Sequence, residues 1–144
     1  MQRILLTLLV ALLLPTSTYA ARGPASFSAG RSLVVASSSL GNAYLGGISV
    51  VTTAPVAGDL SAIGGSIITA APVQGDELLL AGSISSRARV MGDVRAIGGS
   101  ITIEEPMAGD LVAFGYSVHD SGRAGGSVFI IAANTTLTDG ATGP

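Results

Sequence analysis

The residues best suited to bind a cation or accept a proton are four aspartates, each 17 residues from the next and each preceded by glycine. The four pairs are Gly58-Asp59, Gly75-Asp76, Gly92-Asp93 and Gly109-Asp110. If the aspartates stack, their carboxylates repel one another unless water or a cation separates them. Aspartate also caps turns through its own backbone, and we expect that role here. The Gly-Gly-x-Gly-x-Asp spacing of calcium-binding β-rolls is absent, so the sequence predicts neither a metal site nor a cofactor.

Other residues could suggest catalysis. His119, the single histidine, precedes Asp120, but neighbouring strand residues face opposite sides and need not meet. Glu104 and Glu105 form an acidic pair, and paired carboxylates can hydrolyse glycosidic bonds. Such enzymes need a groove built from long loops, and the repeats of this chain have almost no insertions. The glycine pair at 64–65 is not followed by lysine and a helix, which excludes a phosphate loop. We expect no catalytic residue, no enzymatic activity and no small-molecule substrate.

The amino-acid composition excludes further classes of function. The 144 residues include no cysteine, which removes disulfides, thiol nucleophiles and cysteine-bound metals together. The net charge is −2 and no basic cluster occurs, so a nucleic-acid partner is not expected. Twenty glycines suit short strands joined by tight corners, because glycine accepts positive φ and has no side chain to clash.

Apolar residues also recur every 17 residues, and each set of equivalent residues forms a column. These columns predict the secondary-structure elements that position the polar side chains described above. Val56, Val73, Val90 and Met107 form one column, and Ile67, Ile84, Ile101 and Val118 form another. A unit of this length is too short for a pair of helices, and its residues alternate as in strands. Three short strands and three corners would close one turn of a coil, with equivalent residues stacked about 4.8 Å apart. The sequence therefore predicts an all-β, parallel β-helix in which the apolar columns form a narrow core.

Glu77 interrupts one of the apolar columns. Glu77 occupies the column that contains Leu60, and a carboxylate in a thin apolar core would be costly, so we expect it to point outward.

We assign residues 1–20 to a signal peptide, 21–30 to a flexible segment and 31–144 to a β-helix of about six turns.

The N-terminus has the three parts of a secretory signal peptide. Arg3 gives a positive start, residues 4–14 are almost entirely apolar, and Ala20-Ala21 offers a cleavage site. The apolar run is shorter than the roughly 20 residues that span a bilayer. We expect an exported, extracytoplasmic protein, secreted or membrane-associated, with a retained signal anchor as the alternative.

The repeats also resemble a known family. The units GDLSAIGGSI (58–67), GDVRAIGGSI (92–101) and AGDLVAFGYSV (108–118) are similar to those of bactofilin-type, polymer-forming cytoskeletal proteins, above all the exported variants with a signal peptide. The resemblance covers about residues 30 to 142. It implies a right-handed, roughly triangular β-helix whose ends stack on other copies to form filaments without nucleotide.

Two functions remain open at this point. The first is a self-assembling scaffold of the cell envelope, with other copies of the chain as its partner. The second is a monomeric binding module for cell-wall glycan or another surface ligand, with the membrane or the cell wall as its partner. Clustered exposed aromatic residues would favour the second, and we do not expect Tyr44, Phe114, Tyr116 and Phe129 to form one ladder.

Overall fold

The computed structural model describes residues 23–138, which contain seven β-strands and no helix. Each strand has ten residues. They are β1 (Ser26–Val35), β2 (Ala43–Thr52), β3 (Leu60–Thr69), β4 (Glu77–Ser86), β5 (Val94–Ile103), β6 (Leu111–Asp120) and β7 (Val128–Leu137).

All neighbouring strands pair in parallel, in the order in which they occur along the chain. The register places each residue beside the one 17 positions later, as for Ala43 beside Leu60 and Leu60 beside Glu77. Every turn of the chain therefore lies on the previous turn with its side chains in columns. The predicted β-helix with 17-residue turns is confirmed.

Each strand has two arms that bury different side chains. In β3 the first arm buries Leu60 and Ala62, and the second arm buries Ile67 and Thr69. The inward alternation changes phase between the arms, and the ladder of paired residues omits Gly65 at that point. The phase change indicates that the chain turns a corner there, which brings the inner residues of both arms to one interior.

The third side of each turn is much shorter than expected. Only one residue per turn forms a bridge there, as Val56 does with Val73. Proline precedes this bridge in several turns, and its missing N–H removes a donor that a longer ladder would need. The prediction of three strands per turn is thus wrong in detail, because one bent strand and one bridge residue make up the three sides.

The core consists of the predicted columns. The exposed fraction does not exceed 3% for any of the eight residues that the sequence places in the core: Val56, Val73, Val90, Met107, Ile67, Ile84, Ile101 and Val118. Further inner columns, which contain Ala43, Leu45, Thr52 and Ala54, line the rest of the interior. A single turn is too thin to bury these side chains alone, so each turn depends on its neighbours.

The β-helix begins earlier than expected. Ser26–Val35 pairs with β2, so the predicted flexible segment, residues 21–30, is wrong from Ser26 onward. Serine replaces aliphatic residues at inner positions of β1, which hid this strand in the sequence. The signal peptide, the Ala20-Ala21 cleavage site and residues 139–144 lie outside the described residues. Within 23–138 there is no helix long and apolar enough to cross a membrane.

Candidate functional site

The Gly-Asp pairs join successive turns through the aspartate side chain. The backbone N–H of Asp76 donates to Oδ1 of Asp59 at 3.0 Å, and Asp93 N–H donates to Oδ1 of Asp76 at 2.9 Å. The same bond begins with Asn42 as the acceptor and ends with Ser127 as the donor. We expected each aspartate to cap its own turn. Each instead accepts a hydrogen bond from a backbone N–H of the next turn.

The glycine of each pair makes room for this bond. A Cβ on Gly126 would overlap Oδ1 of Asp110, and a Cβ on Gly92 would overlap Oδ1 of Asp76. No glycine among residues 23–138 has φ in the left-handed region. Positive φ, which we had considered for these corners, is therefore not the reason for glycine. Glycine occurs here because the preceding turn approaches too closely for a side chain.

Arg95 lies beside the outer oxygens of two of the aspartates. Arg95 Nη2 lies 2.9 Å from Oδ2 of Asp93, and Arg95 Nη1 lies 3.9 Å from Oδ2 of Asp76. These side chains are partly exposed, and such ion pairs contribute little to stability. Among residues 23–138 no group of three or more histidine, cysteine, aspartate or glutamate residues is arranged to hold a metal ion.

Glu77 lies inside the core, so the prediction that it points outward is wrong. Its side chain is fully buried, and Ser86 Oγ donates to Oε2 at 2.8 Å. Thr69 Oγ1 in turn donates to Ser86 Oγ at 3.3 Å. Thr52, Thr69, Ser86 and Asp120 share one inner column, which gives the interior a polar side. The Thr-Thr-Ser run at the 17-residue step could have revealed this in the sequence.

Burial changes the protonation of both buried acids. It raises the pKa of the Glu77 carboxyl above its ordinary 4.5, and hydrogen bonds from Ser86 and Thr69 offset only part of this effect. Burial likewise raises the pKa of Asp120, while the Gly122 N–H and the charge of His119 act in the opposite direction. Oε1 of Glu77 and Oδ2 of Asp120 have no hydrogen-bond partner. Both carboxyls therefore bind a proton more readily than an exposed carboxyl does.

The candidate catalytic residues do not come together. His119 is exposed on the outer side of β6, whereas Asp120 is buried beneath the strand. Glu104 is exposed and lies 3.4 Å from Nε of Arg87, and Glu105 is exposed beside it. The arrangement provides no paired carboxylates across a groove and no His-Asp contact.

The outer side of the first strand arm carries a continuous apolar surface, which we call the apolar face. It consists of two columns, and its large members are Phe27, Tyr44, Ile63, Leu78, Leu80, Ile97, Val112, Phe114, Phe129 and Ile131. Arg95 is the single charged residue of these columns. Most of these side chains are exposed, with Phe27 at 76%. The sequence did not indicate this surface, because an outer column needs no particular residue type.

Aromatic rings mark the two ends of the apolar face. Phe27 and Tyr44 stack with ring centroids 4.8 Å apart, and Phe114 meets Phe129 edge to face at 5.9 Å. Tyr116 lies in another column. Tyr44, Phe114, Tyr116 and Phe129 thus form no single ladder. All of them except Tyr116 lie on the apolar face.

A shallow depression of about 270 Å³ lies on the apolar face. Ser61 is small, so it leaves a gap between Tyr44 and Leu78, and Ile63 and Leu80 line its side. The lining contains no titratable group besides the tyrosine hydroxyl. The depression can hold an apolar group but offers no chemistry for a reaction.

The two ends of the β-helix are open within the described part of the chain. There β1 pairs only with β2, and β7 pairs only with β6. The inner residues of β7 are partly exposed, with Leu137 at 46%, while Ile103 in the same column is 1% exposed. Within residues 23–138, β1 and β7 thus each have one edge without a paired strand, and β7 carries partly exposed apolar side chains.

Comparison with known proteins adds no assignment: no family model, curated protein or solved structure matches the chain.

The contact between Gly126 and Asp110 predicts a coupled effect on stability. Gly126→Ala should lower the free energy of unfolding by about 1–3 kcal/mol, because the new Cβ overlaps Asp110 Oδ1. Asp110→Ala should cost about 1 kcal/mol through the lost hydrogen bond to Ser127. In the double variant the added cost of Gly126→Ala should fall below half, measured by urea denaturation.

Gly92 and Asp76 provide the matched control. A Cβ on Gly92 would also lie 2.8 Å from the backbone oxygen of Gly75, which the Asp76→Ala substitution leaves in place. Gly92→Ala should therefore remain costly in the Asp76→Ala background. If Gly126→Ala costs as much in the Asp110→Ala background as in the unchanged protein, the steric role of the aspartate side chain is contradicted.

Burial of Glu77 predicts a stability that depends on pH. Since its folded pKa is raised, stability is greatest below the ordinary pKa of 4.5 and is lost as the pH rises through the folded value. Glu77→Leu should raise the free energy of unfolding at pH 8 by about 1–3 kcal/mol, because it removes an unsatisfied buried oxygen. The gain should be smaller at pH 4.

The exposed Glu105 serves as the control for this measurement. Glu105→Gln should change the free energy of unfolding little at either pH. A loss of stability in Glu77→Leu at pH 8, comparable to that of a core truncation, would show that the buried carboxyl stabilises the fold.

Proposed function

We propose that this protein is a structural, self-assembling β-solenoid whose ends stack on other copies to form a filament or scaffold of the bacterial cell envelope. The observation that carries the proposal is that, within residues 23–138, β1 and β7 each pair with a strand on one side only. An edge strand with free N–H and C=O groups pairs with another strand unless charge, proline or a covering segment prevents it.

The composition of the terminal strands supports strand addition. Val128–Leu137 contains no charged residue, and Ser26–Val35 contains only Arg31. Val128 and Ile130 are half-buried and pack on the core, and a further turn would cover them as β7 covers Leu111. Stacking therefore removes apolar surface from water and satisfies backbone groups in one step.

The place of assembly follows from the sequence. Residues 1–20 have the pattern of a signal peptide, so the filament forms outside the cytoplasmic membrane. The similarity of the repeats to bactofilin-type proteins supports the same scaffolding role. Assembly uses only backbone pairing and apolar contact, and it requires neither nucleotide nor metal.

A binding module is the second candidate, and the apolar face favours it. Exposed apolar patches on a soluble protein often mark a site for another molecule. The ring pairs at both ends and the depression beside Ser61 could hold a flat or apolar ligand, such as a face of cell-wall glycan. In this case the solenoid acts as a monomer and its ends stay unpaired.

Two neighbouring threonines of β7 allow a matched test of end-to-end assembly. Thr135 lies in the inner column above Val118, whereas Thr136 lies in the outer column above His119, and both are exposed in a single copy. Thr135→Lys should raise the concentration needed for assembly about tenfold or more, because stacking would bury the ammonium group. Thr136→Lys should assemble like the unchanged protein, by electron microscopy and light scattering.

The outcomes separate the two functions. Filaments lost in Thr135→Lys and kept in Thr136→Lys support assembly through the open end. Unchanged protein that stays monomeric at high micromolar concentration would rule out the scaffold and favour the binding module. Filaments that persist in Thr135→Lys but disappear in Leu78→Ser, a substitution on the apolar face, would replace end stacking with lateral association.

A further inference from the structure

The apolar face consists of two outer columns, and each column contains one residue from every strand. The first column contains Phe27, Tyr44, Ser61, Leu78, Arg95, Val112 and Phe129, and the second contains Ala29, Gly46, Ile63, Leu80, Ile97, Phe114 and Ile131. In β1, β2 and β3 one of the two residues is small, whereas from β4 to β7 both are large. The face is therefore partly hollow over the first three strands and full over the last three.

A second copy that is turned end over end would fit this face. A two-fold axis along β4, in the plane of the contact, sets Leu78 against Leu78 of the second copy and reverses the order of the strands. Gly46 then faces Phe114, and Ala29 faces Ile131, so small residues meet large ones. Because the same surface is used on both copies, each of these contacts is made twice. We call this the reversed arrangement.

The depression beside Ser61 gives the register of this contact. Ser61 and Arg95 belong to the same column, and each lies one turn from Leu78. When the two Leu78 side chains face each other, Arg95 of the second copy therefore enters the depression. Its alkyl part would pack between Tyr44 and Leu78, which line the depression.

Arg95 keeps its charge paired when a second copy covers it. Within its own copy the guanidinium lies 2.9 Å from Oδ2 of Asp93 and 3.9 Å from Oδ2 of Asp76. Asp59 precedes Ser61 by two residues, so the acidic edge of the face continues past the depression. The guanidinium would thus approach Asp59 and Asp76 of the second copy as well. A covered charge needs such partners, since an unpaired one is costly.

A two-fold axis along the β-helix gives the alternative, in which equivalent strands face each other and the first column lies on the second. Tyr44 would then face Gly46, whereas Phe129 would face Ile131, so the packing would be loose at one end and crowded at the other. Arg95 would lie away from the acidic edge of the second copy, because the two acidic edges lie on opposite sides. The reversed arrangement fills the face evenly and is favoured for that reason.

The apolar face is large enough for a contact of this kind. The seven strands span about 29 Å at the usual strand spacing, and an arm of five residues is about 16 Å wide. Each copy thus contributes a flat footprint of about 450 Å², so the two together approach the roughly 1,000 Å² of a specific interface. Exposed apolar surface on this scale commonly marks a contact with another molecule.

We infer that the apolar face binds the apolar face of a second copy in a two-fold dimer, in which β4 faces β4 and Arg95 of each copy enters the depression beside Ser61 of the other. This inference goes beyond the proposed function and does not depend on it, because the apolar face lies along the side of the β-helix. A face covered in this way is closed to the ligand of the second candidate function.

Two exposed aliphatic residues allow a matched test of the dimer. Leu80 lies at the two-fold axis and is 44% exposed, whereas Val34 lies on the outer side of the second arm and is 61% exposed. Leu80→Asp should raise the dissociation constant of the dimer about a hundredfold or more, because it sets two carboxylates against each other. Val34→Asp should leave the constant unchanged. Sedimentation equilibrium in the Thr135→Lys background, which prevents end stacking, measures both, and circular dichroism checks that each variant folds.

Crosslinking tests the orientation of the two copies, since the chain contains no cysteine. Tyr44→Cys and Val112→Cys are prepared separately in the same background and then mixed. In the reversed arrangement β2 faces β6, so these two positions face each other and each lies four turns from its own equivalent. A bis-maleimide that spans the roughly 10 Å between packed sheets should give about tenfold more dimer from the mixture than from either variant alone.

The other outcomes would overturn the inference at different points. Crosslinked dimers from each variant alone, with no more from the mixture, would overturn the reversed arrangement. A dimer that Leu80→Asp does not weaken would show that another surface holds the copies together. A single copy at high micromolar concentration in the Thr135→Lys background would overturn the dimer itself. None of these results decides end stacking, which the comparison of Thr135→Lys with Thr136→Lys tests separately.

Discussion

Hydrogen bonding between the backbones of successive turns, fixed at 17 residues, is the constraint on which the rest of the structure depends. The N–H of Ala43 donates to the carbonyl of Asp59 at 2.8 Å, and equivalent bonds recur along the chain. Because each turn must have the same length, every column holds residues that suit one environment. The core columns, the Gly-Asp pairs and the open ends all follow from this register.

Polar residues occupy the places that this register leaves for them. Asp59 and its equivalents use one oxygen to bind the next turn, and glycine provides the space. Glu77 enters the core because Ser86, across the interior, offers it a hydrogen bond. The apolar face shows the opposite case, since most of its apolar side chains are exposed to solvent. Stability therefore resides in the columns, whereas the end strands and the apolar face are the surfaces through which we propose that other molecules bind.

Much of the fold could be predicted from the sequence because a repeat makes each column visible several times. Val56 and Ile67 were assigned to the core correctly, since their equivalents are all apolar. Glu77 was assigned wrongly, because a single polar residue says nothing about the partner that lies across the interior. The start of β1 was missed because Ser26 and Ser28 do not resemble core residues. The apolar face was missed because an outer column needs no particular residue type, so only the structure shows which residues share it.

Removal of one whole turn tests the central constraint most directly. Deletion of residues 94–110 joins Asp93 to Leu111 and keeps every remaining residue in its column. Deletion of residues 94–102 removes about half a turn and shifts all later columns. Circular dichroism and urea denaturation should show that the first variant keeps strand structure and cooperative unfolding, while the second loses both beyond β4. Loss of folding in both variants to the same extent, or in neither, would contradict the account.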